Sequence, residues 1–280
     1  IRAGVLSGAV KLDGKLNEPD WAAAEAIDGL TETEPQQGGT PIGRTVVKIL
    51  MNPTVILIGI LADDPEPDRI KANVAERDGI TADDWICINL DPRFDQQALN
   101  AFYVNPLGIQ RDTRYAAGNE DASIDLVWYS AGRIDDQGWT AEARIPLKSL
   151  NFGKGLSTWG FNVERRVERL QEVSRWSGIN LDYAVSQMSQ AGLLKDLPPF
   201  HYGVGTSVRP AFVVRTQKPG PGLETDVDTE LSLDLTQKVT SNLLAALTVN
   251  TDFAETEVDT RRTNLTRFPL FFAEKRTFFL

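Results

Sequence analysis

The stretch from Gly138 to Arg166, GWTAEARIPLKSLNFGKGLSTWGFNVERR, constrains the fold more than any other part of the chain. Trp139, Ala141, Ala143 and Ile145 alternate with Thr140, Glu142 and Arg144, the period-two pattern of a strand with one buried face. Pro146 has no N–H to give to a ladder, so the strand is expected to stop there. A turn rich in Gly, Asn and Ser follows over residues 148–156, and then the alternation returns. Trp159, Phe161 and Val163 face one way; Asn162, Glu164 and Arg166 face the other. Two such strands, each with large side chains on one face, predict an all-β chain built as an antiparallel sandwich.

The neighbouring segments fit that plan. Residues 45–51 and 55–62 read as a hairpin across Asn52-Pro53, and the second strand, apolar on both faces, belongs at the centre of its sheet. Further strands are expected at 85–90, 101–104, 109–115 and 128–133, the last running into the hairpin turn Asp135-Asp136-Gln137-Gly138. Residues 17–26 read as one helical segment with Asn17 as N-cap and Pro19 in the first turn, and Asp68 reads as the cap of a short helix at 69–75. Pro198-Pro199 marks a boundary, giving a sandwich over residues 1–198 and a second region over 199–280.

Two regions also suit a length of 280 residues, which exceeds a usual single core. The formal charge is −10, and it sits in the first region: residues 1–200 carry 20 basic and 29 acidic side chains, residues 201–280 carry 9 and 10. An acidic surface repels phosphate backbones, so no nucleic-acid partner is expected. Cys87 is the sole cysteine and His201 the sole histidine. An intrachain disulfide, a cysteine-rich metal site, a His-dependent triad and a multi-His zinc site therefore cannot be built from this sequence. The pattern breaks off at Phe278-Phe279-Leu280, and the chain reads as an excerpt of a longer protein.

The short motifs of the first region occur in a distinctive order. Leu12-Asp13-Gly14-Lys15-Leu16 and Trp21 are followed by the strand pair around Val47 and Ile58, by Ala62-Asp63-Asp64-Pro65, and by Asp84 before the strand at 85–91. Gly138-Trp139-Thr140-Ala141-Glu142, Ile145-Pro146 and Trp159-Gly160-Phe161-Asn162 come after them. This series resembles a family 9 carbohydrate-binding module over residues 9–195. The resemblance implies a β-sandwich whose partner is a carbohydrate or a glycan-like surface. Modules of that family also carry structural calcium. Here Asp63, Asp64, Glu66 and Asp68 crowd one loop, and calcium takes six to eight oxygens, so these four are the candidate ligands. The other reading of the loop is a solvated acidic turn with one helix cap.

Beyond residue 200 the texture changes. Val204, Thr206, Val208, Pro210, Phe212 and Val214 share one face of a strand pattern; so do Leu231, Leu233 and Leu235, and again Leu243, Ala245, Leu247 and Val249. Dyad-patterned segments joined by polar turns suit either the strands of an outer-membrane barrel or a small soluble antiparallel sheet. The tail, with Asn264-Leu265-Thr266-Arg267-Phe268, Phe271-Phe272-Ala273-Glu274-Lys275-Arg276 and Phe278-Phe279-Leu280, resembles the start of the C-terminal region in a bacterial family of unknown function. In that family a family-9-like module precedes a long outer-membrane-type β-barrel. The resemblance implies that residues 199–280 are the first strands of an incomplete barrel. It places the protein at the outer membrane, in the periplasm or on the cell surface, with its own barrel as a partner.

Candidate site residues follow from both lines. Trp21, Trp128, Trp139 and Trp159 fall at buried phase and are assigned to the core. Trp85, which shares a face with Cys87 and Asn89, and Trp176 are offered for stacking on a sugar ring. With Asp84, Tyr103, Asn105 and Arg165 they make the candidate ligand-binding set. In the resembled family two tryptophans clamp a sugar end, with a glutamate and an arginine beside them. Here the clamp positions fall at Thr81 and near Val185, the glutamate position at Cys87 and the arginine position at Tyr103, while Asp84 and Asn105 match. Arg77, Asp83, Asp84, Asn105, Asp112, Glu142, Arg165 and Arg166 form a polar set that is either mutually paired or lines a pocket. Asp112 and Glu142 are also a candidate glycosidase pair, although no catalytic residue is required by the sequence. Three functional readings result: a non-catalytic glycan-binding module on a barrel, an interaction or plug domain docking on its own barrel without sugar, and an accessory part of a glycoside hydrolase system.

Overall fold

The computed structural model describes residues 1–80, 82–116, 118–180, 182–200, 206–217, 226–238 and 244–250. Thr81, His201 and the tail motif from residue 251 onward lie outside the described residues. The chain divides into two compact units, Ile1–His201 and Tyr202–Leu280.

In chain order the strands of the first unit are β1 Gly4–Val5, β2 Ala26–Asp28, β3 Thr31–Glu34, β4 Thr45–Met51, β5 Val55–Asp63, β6 Trp85–Asp91, β7 Ala98–Val104, β8 Gln110–Ala116, β9 Asn119–Asp121, β10 Tyr129–Asp135, β11 Gly138–Pro146, β12 Thr158–Val167, β13 Glu172–Arg175 and β14 Gly192–Lys195; α1, Pro19–Ala23, is its α-helix. A six-stranded sheet runs β1-β4-β5-β11-β10, with β2 added on β4. An eight-stranded sheet runs β3-β13-β12-β6-β7-β8-β9, with β14 added on β12. The pairings are antiparallel apart from β1 with β4. The stretch that set the fold expectation thus gives one strand to each sheet. Trp139, Ala141, Ala143 and Ile145 of β11 and Trp159, Phe161 and Val163 of β12 enter one buried core.

The centrality expected for β5 has a structural counterpart on each of its faces. Ile56, Ile58 and Ile60 point into the core, while Leu57 packs outward with Val10, Trp21, Ala24 and Leu50. Gly59 leaves room for Trp21 on that outer side: an added Cβ would sit 3.0 Å from its ring and 2.7 Å from Leu16. The turn before β5 is held by Asn52, whose Oδ1 accepts the N–H groups of Thr54 and Val55 at 2.9 and 3.0 Å.

Both helix expectations need correction. The segment at 17–26 is helical only over α1, with Glu18 rather than Asn17 at the N-cap and no side-chain cap bond. Ala24 is already extended, and Ala26 pairs with Lys48 of β4, so sheet pairing overrides the helix preference of the alanine run. Asp68 caps no helix at 69–75: Pro67–Arg69 is a single 3₁₀ turn, and residues 70–75 are drawn against Asp83 and Asp84 instead. The Asn73 N–H donates to Asp83 at 3.1 Å, and the Asp84 N–H donates to the Lys71 carbonyl at 2.8 Å. Apolar packing also continues past Pro198-Pro199, because the Phe200 ring lies 5.0 Å from Phe152 and 5.1 Å from Trp159.

The second unit contains β15 Thr206–Gln217, β16 Asp226–Lys238 and β17 Leu244–Val249, an antiparallel three-stranded sheet with β16 in the middle. Val208 pairs with Leu235, Phe212 with Leu231, Leu235 with Leu247, and Leu233 with Val249. One face is therefore apolar across all three strands, and Val208, Phe212, Val214, Leu231, Leu233, Leu247 and Val249 on it are exposed. The other face carries Arg209, Asp234 and Thr248 side by side. Among the described residues the sheet does not close into a barrel.

Candidate functional site

Trp85 and Tyr103 lie on the outer face of the eight-stranded sheet. On β6 and β7, Ile86, Ile88, Leu90, Phe102 and Val104 turn into the core, so Trp85, Cys87, Leu99, Ala101 and Tyr103 turn outward. Strand register aligns Arg175, Glu164, Cys87, Tyr103 and Arg111 in one row across the sheet. Arg175 holds Glu164 through Nε and Nη2, at 2.9 and 2.7 Å. Its Nη1 donates to the carbonyls of Gly178 and Tyr183, both at 3.0 Å, which ties the segment after β13 to the sheet. At the other end of the row the Arg111 guanidinium lies 5.0 Å from the Tyr103 ring centre, and Trp85 meets that ring edge-on at 5.2 Å.

This row is covered. Ile80, Met188 and Ala191 pack on Cys87, Leu99, Ala101 and Tyr103 in a second apolar cluster. Burial pushes the Glu164 carboxyl up in spite of Arg175, and burial also raises the Cys87 thiol. The Tyr103 phenol is raised by the neighbouring Cys87 and by burial, and the Tyr115 phenol is pushed up to about 12, chiefly by burial. Thiol and phenols keep their protons at neutral pH, and Cys87 Sγ accepts from Asn89 Nδ2 at 3.4 Å. The positions that correspond to the family's glutamate and arginine thus hold two uncharged side chains under an apolar lid.

The six candidate ligand residues do not gather into one site. Trp85 and Tyr103 share the outer face. Asp84 is buried, its Oδ1 accepting the Glu168 N–H at 2.7 Å, and burial raises its pKa. Asn105 is buried in the turn after β7, where its Oδ1 accepts the N–H groups of Leu107 and Ile109 and its Nδ2 donates to Asp83 at 2.8 Å. Arg165 lies between the two sheets and is 1% exposed; it donates to the carbonyls of Gly43 and Asp63 and to Thr45 Oγ1. Trp176 packs 5.8 Å from Phe161 and against Gly192, where an added Cβ would meet its ring at 2.2 Å.

The polar set resolves into internal pairs. Arg77 bonds Asp112, which also accepts the Trp128 indole N–H at 3.2 Å and the Leu126 N–H at 2.7 Å. Glu142, on the six-stranded sheet, accepts the N–H groups of Asp13 and Gly14, each at 2.9 Å. Asp112 and Glu142 belong to different sheets and are each buried in their own network, so they do not make the candidate glycosidase pair. The four carboxylates offered for calcium do not converge either. Both oxygens of Asp64 are taken by Arg169 at 2.7 Å, and among the described residues no three His, Cys, Asp or Glu side chains stand together as a metal site requires. Burial pushes the Asp64 carboxyl up, but Arg169 and the Glu66 N–H outweigh it and hold it below the usual range.

Two of the clefts on this unit have partly polar walls. One, of about 110 Å³, is bordered by Arg93, Asn100, Arg114, Leu126 and Ser149. The other, of about 190 Å³, lies between the β6–β7 hairpin, the end of β8 and residues 186–189. The second was not foreseen, because its walls come from connecting segments with no periodicity. Their only signal is composition: Gln96-Gln97 and Ser186-Gln187-Met188-Ser189 are rich in amides and hydroxyls.

No protein-family model matches the chain, and no curated protein does. Among solved structures the chain is similar to a family 9 carbohydrate-binding module from Caldicellulosiruptor kristjanssonii in complex with cellotriose. The TM-score is 0.51 at 18% identity, over 72% of this chain and 95% of that one. It is also similar to a candidate carbohydrate-binding protein from Bacteroides uniformis, with a TM-score of 0.55 at 15% identity, over 70% of this chain and 97% of that one. The fold is therefore that of a family-9-like carbohydrate-binding module, an antiparallel β-sandwich. At such identities the likeness establishes fold alone.

Proposed function

We propose that the chain is a non-catalytic carbohydrate- or glycan-binding module joined to an outer-membrane β-barrel, placed at the periplasmic or outer surface of a bacterial envelope. The observation that carries the binding half is the likeness of the sandwich to a module seen with cellotriose. The barrel half rests on β15 to β17. Strands of 12 and 13 residues are long enough for a tilted barrel strand, which takes about 9 to 11. Their faces alternate apolar and polar as a lipid-facing and a lumen-facing side do. An exposed apolar band across three adjacent strands is uncommon in a protein surrounded by water.

A second reading is favoured by one observation. Ile80 and Met188 close the row at Cys87 and Tyr103 where the resembled family grips sugar, which suits a domain that docks on its own barrel instead. A glycan screen of the full chain in mild detergent separates the two. Saturable binding of any saccharide class at millimolar concentration or below supports the module. Failure of every saccharide to bind, with retention of the sandwich on its separately prepared barrel, selects the docking domain.

A further inference from the structure

We infer that the cleft between the β6–β7 hairpin, the end of β8 and residues 186–189 is a subsite for one uncharged sugar unit; this rests on the carbohydrate-binding reading above. The cleft measures about 190 Å³ and is bordered by Gln96, Gln97, Tyr115, Ser186, Gln187 and Ser189, with Met188 among them. The side chains of the three glutamines and two serines make no hydrogen bond to any other described residue. Each amide offers two donors and an acceptor, and each hydroxyl offers both, which is the mixture that sugar hydroxyls require. Tyr115 is half-buried and supplies a ring for the C–H face of a pyranose.

The walls are fixed although the polar side chains are free. On the hairpin side, Asp91 accepts the Gln96 N–H at 2.8 Å and Asp95 accepts the Gln97 N–H at 3.0 Å. On the opposite side, Met188 is anchored in the apolar cluster on the sheet, and the Gln187 N–H donates to the Ala184 carbonyl at 3.0 Å. The fixed backbone sets where the amides and hydroxyls start from, while the free side chains give up rotamer freedom on binding. No charged side chain borders the cleft, and the chain as a whole is at −10. Uronates and sulfated or phosphorylated sugars would meet repulsion with no cation to offset it, so the ligand class is neutral. None of Val185, Cys87 and Tyr103, which correspond to the family's gripping positions, borders this cleft. It lies beside them, since Ser186 follows Val185 and the lining residues Leu99 and Met188 share an apolar cluster with Cys87 and Tyr103.

The test is calorimetry on the full chain in mild detergent, with cellotriose, neutral xylo- and manno-oligosaccharides and oligoglucuronates as probes. At least one neutral probe is expected to bind, and oligoglucuronates about tenfold more weakly or not at all. Gln97→Ala and Gln187→Ala should each weaken the neutral probe about fivefold, the size of one lost neutral hydrogen bond, and the double variant should weaken it further. Both glutamines are exposed and unbonded, so these variants keep the fold, and Arg114→Ala at the other cleft should change nothing. Neutral binding unaffected by both glutamine variants would overturn the subsite and leave the carbohydrate-binding reading standing. Preferred binding of oligoglucuronate would overturn the neutral class. No binding by any probe would remove the carbohydrate-binding reading and the subsite with it.

Discussion

Along β6, Ile86, Ile88 and Leu90 turn inward and are fully buried, because a second sheet covers them. Along β15 and β16 the same alternation leaves Phe212 and Leu231 each 66% exposed, with no second layer among the described residues. Period-two patterning thus says which face of a strand is apolar, but not what lies against it. In the sandwich the cover is protein, and its few inward charges, such as Arg165, are hydrogen-bonded. For β15 to β17 the cover proposed is lipid.

The largest effect expected from this difference is in association. In water the full chain should self-associate through the open apolar face and unpaired strand edges beyond about residue 230, whereas residues 1–200 should be monomeric by light scattering at equal concentration. The shorter chain has to keep Leu197 and Phe200, which pack in the sandwich, so a cut near Asp196 would damage the core. A monomeric full chain beside an associating 1–200 would mean that β15 to β17 complete the sandwich and are not a separate region.

Within the sandwich the next largest effect falls on the pair of Asp64 and Arg169, whose side chains are 0% and 3% exposed. Arg169→Ala leaves a buried carboxylate unpaired and should cost about 3 kcal/mol in urea unfolding of residues 1–200. Replacing both partners with apolar residues of similar size should recover most of that. A loss under about 1 kcal/mol for the single variant would place the pair in water, against the structure.

The pH dependence is smaller and has a definite sign. Burial raises the carboxyls of Asp84, Glu142 and Glu164 above their ordinary values of 3.8, 4.5 and 4.5. A raised carboxyl favours the folded state fully below its unfolded value, and that contribution is lost as pH rises through the folded value. Asp64 is depressed, so its contribution is present above 3.8 and is lost as pH falls through its lower folded value. The unfolding midpoint of residues 1–200 should therefore climb as pH drops towards the ordinary carboxyl values of 4.5 and 3.8, then fall in stronger acid. Glu142→Gln, which keeps an acceptor for the Asp13 and Gly14 N–H groups, should flatten the climb. A midpoint that rises steadily from pH 5 to 8 would contradict the burial of these three groups.

The smallest effect concerns calcium. With both Asp64 oxygens held by Arg169, millimolar calcium or a chelator should leave the unfolding midpoint of residues 1–200 unchanged, as should Asp68→Asn. A calcium-dependent rise of several degrees that Asp68→Asn abolishes would show that the loop rearranges to bind the ion.

These contrasts follow what the sequence made legible. The hairpin at 45–51 and 55–62 and the strands at 138–146 and 158–167 were readable to within a residue or two, because alternation fixes which side chains are buried. The helix at 17–26 was overread: the pull of β4 on Ala26 is a long-range contact, and local propensity does not contain it. Asp84 and Asn105 looked like ligand groups because they match the resembled family, and Arg165 because it belongs to a polar set that could line a pocket. Asp84 and Asn105 are spent instead on turn backbone and a neighbouring side chain, and Arg165 on Gly43, Thr45 and Asp63 across the sandwich. Gln96, Gln97 and Gln187 were missed for the converse reason. They stand on connecting segments and become neighbours only when the β6–β7 hairpin and residues 186–189 meet above β8.

Flotation with lipid vesicles tests the contrast between the two regions most directly. The full chain should rise with the vesicles through the apolar face of β15 to β17, and residues 1–200 should stay in the dense fraction. A full chain left behind by vesicles that carry other outer-membrane barrel proteins upward, or equal flotation of both chains, would contradict a lipid-facing second region.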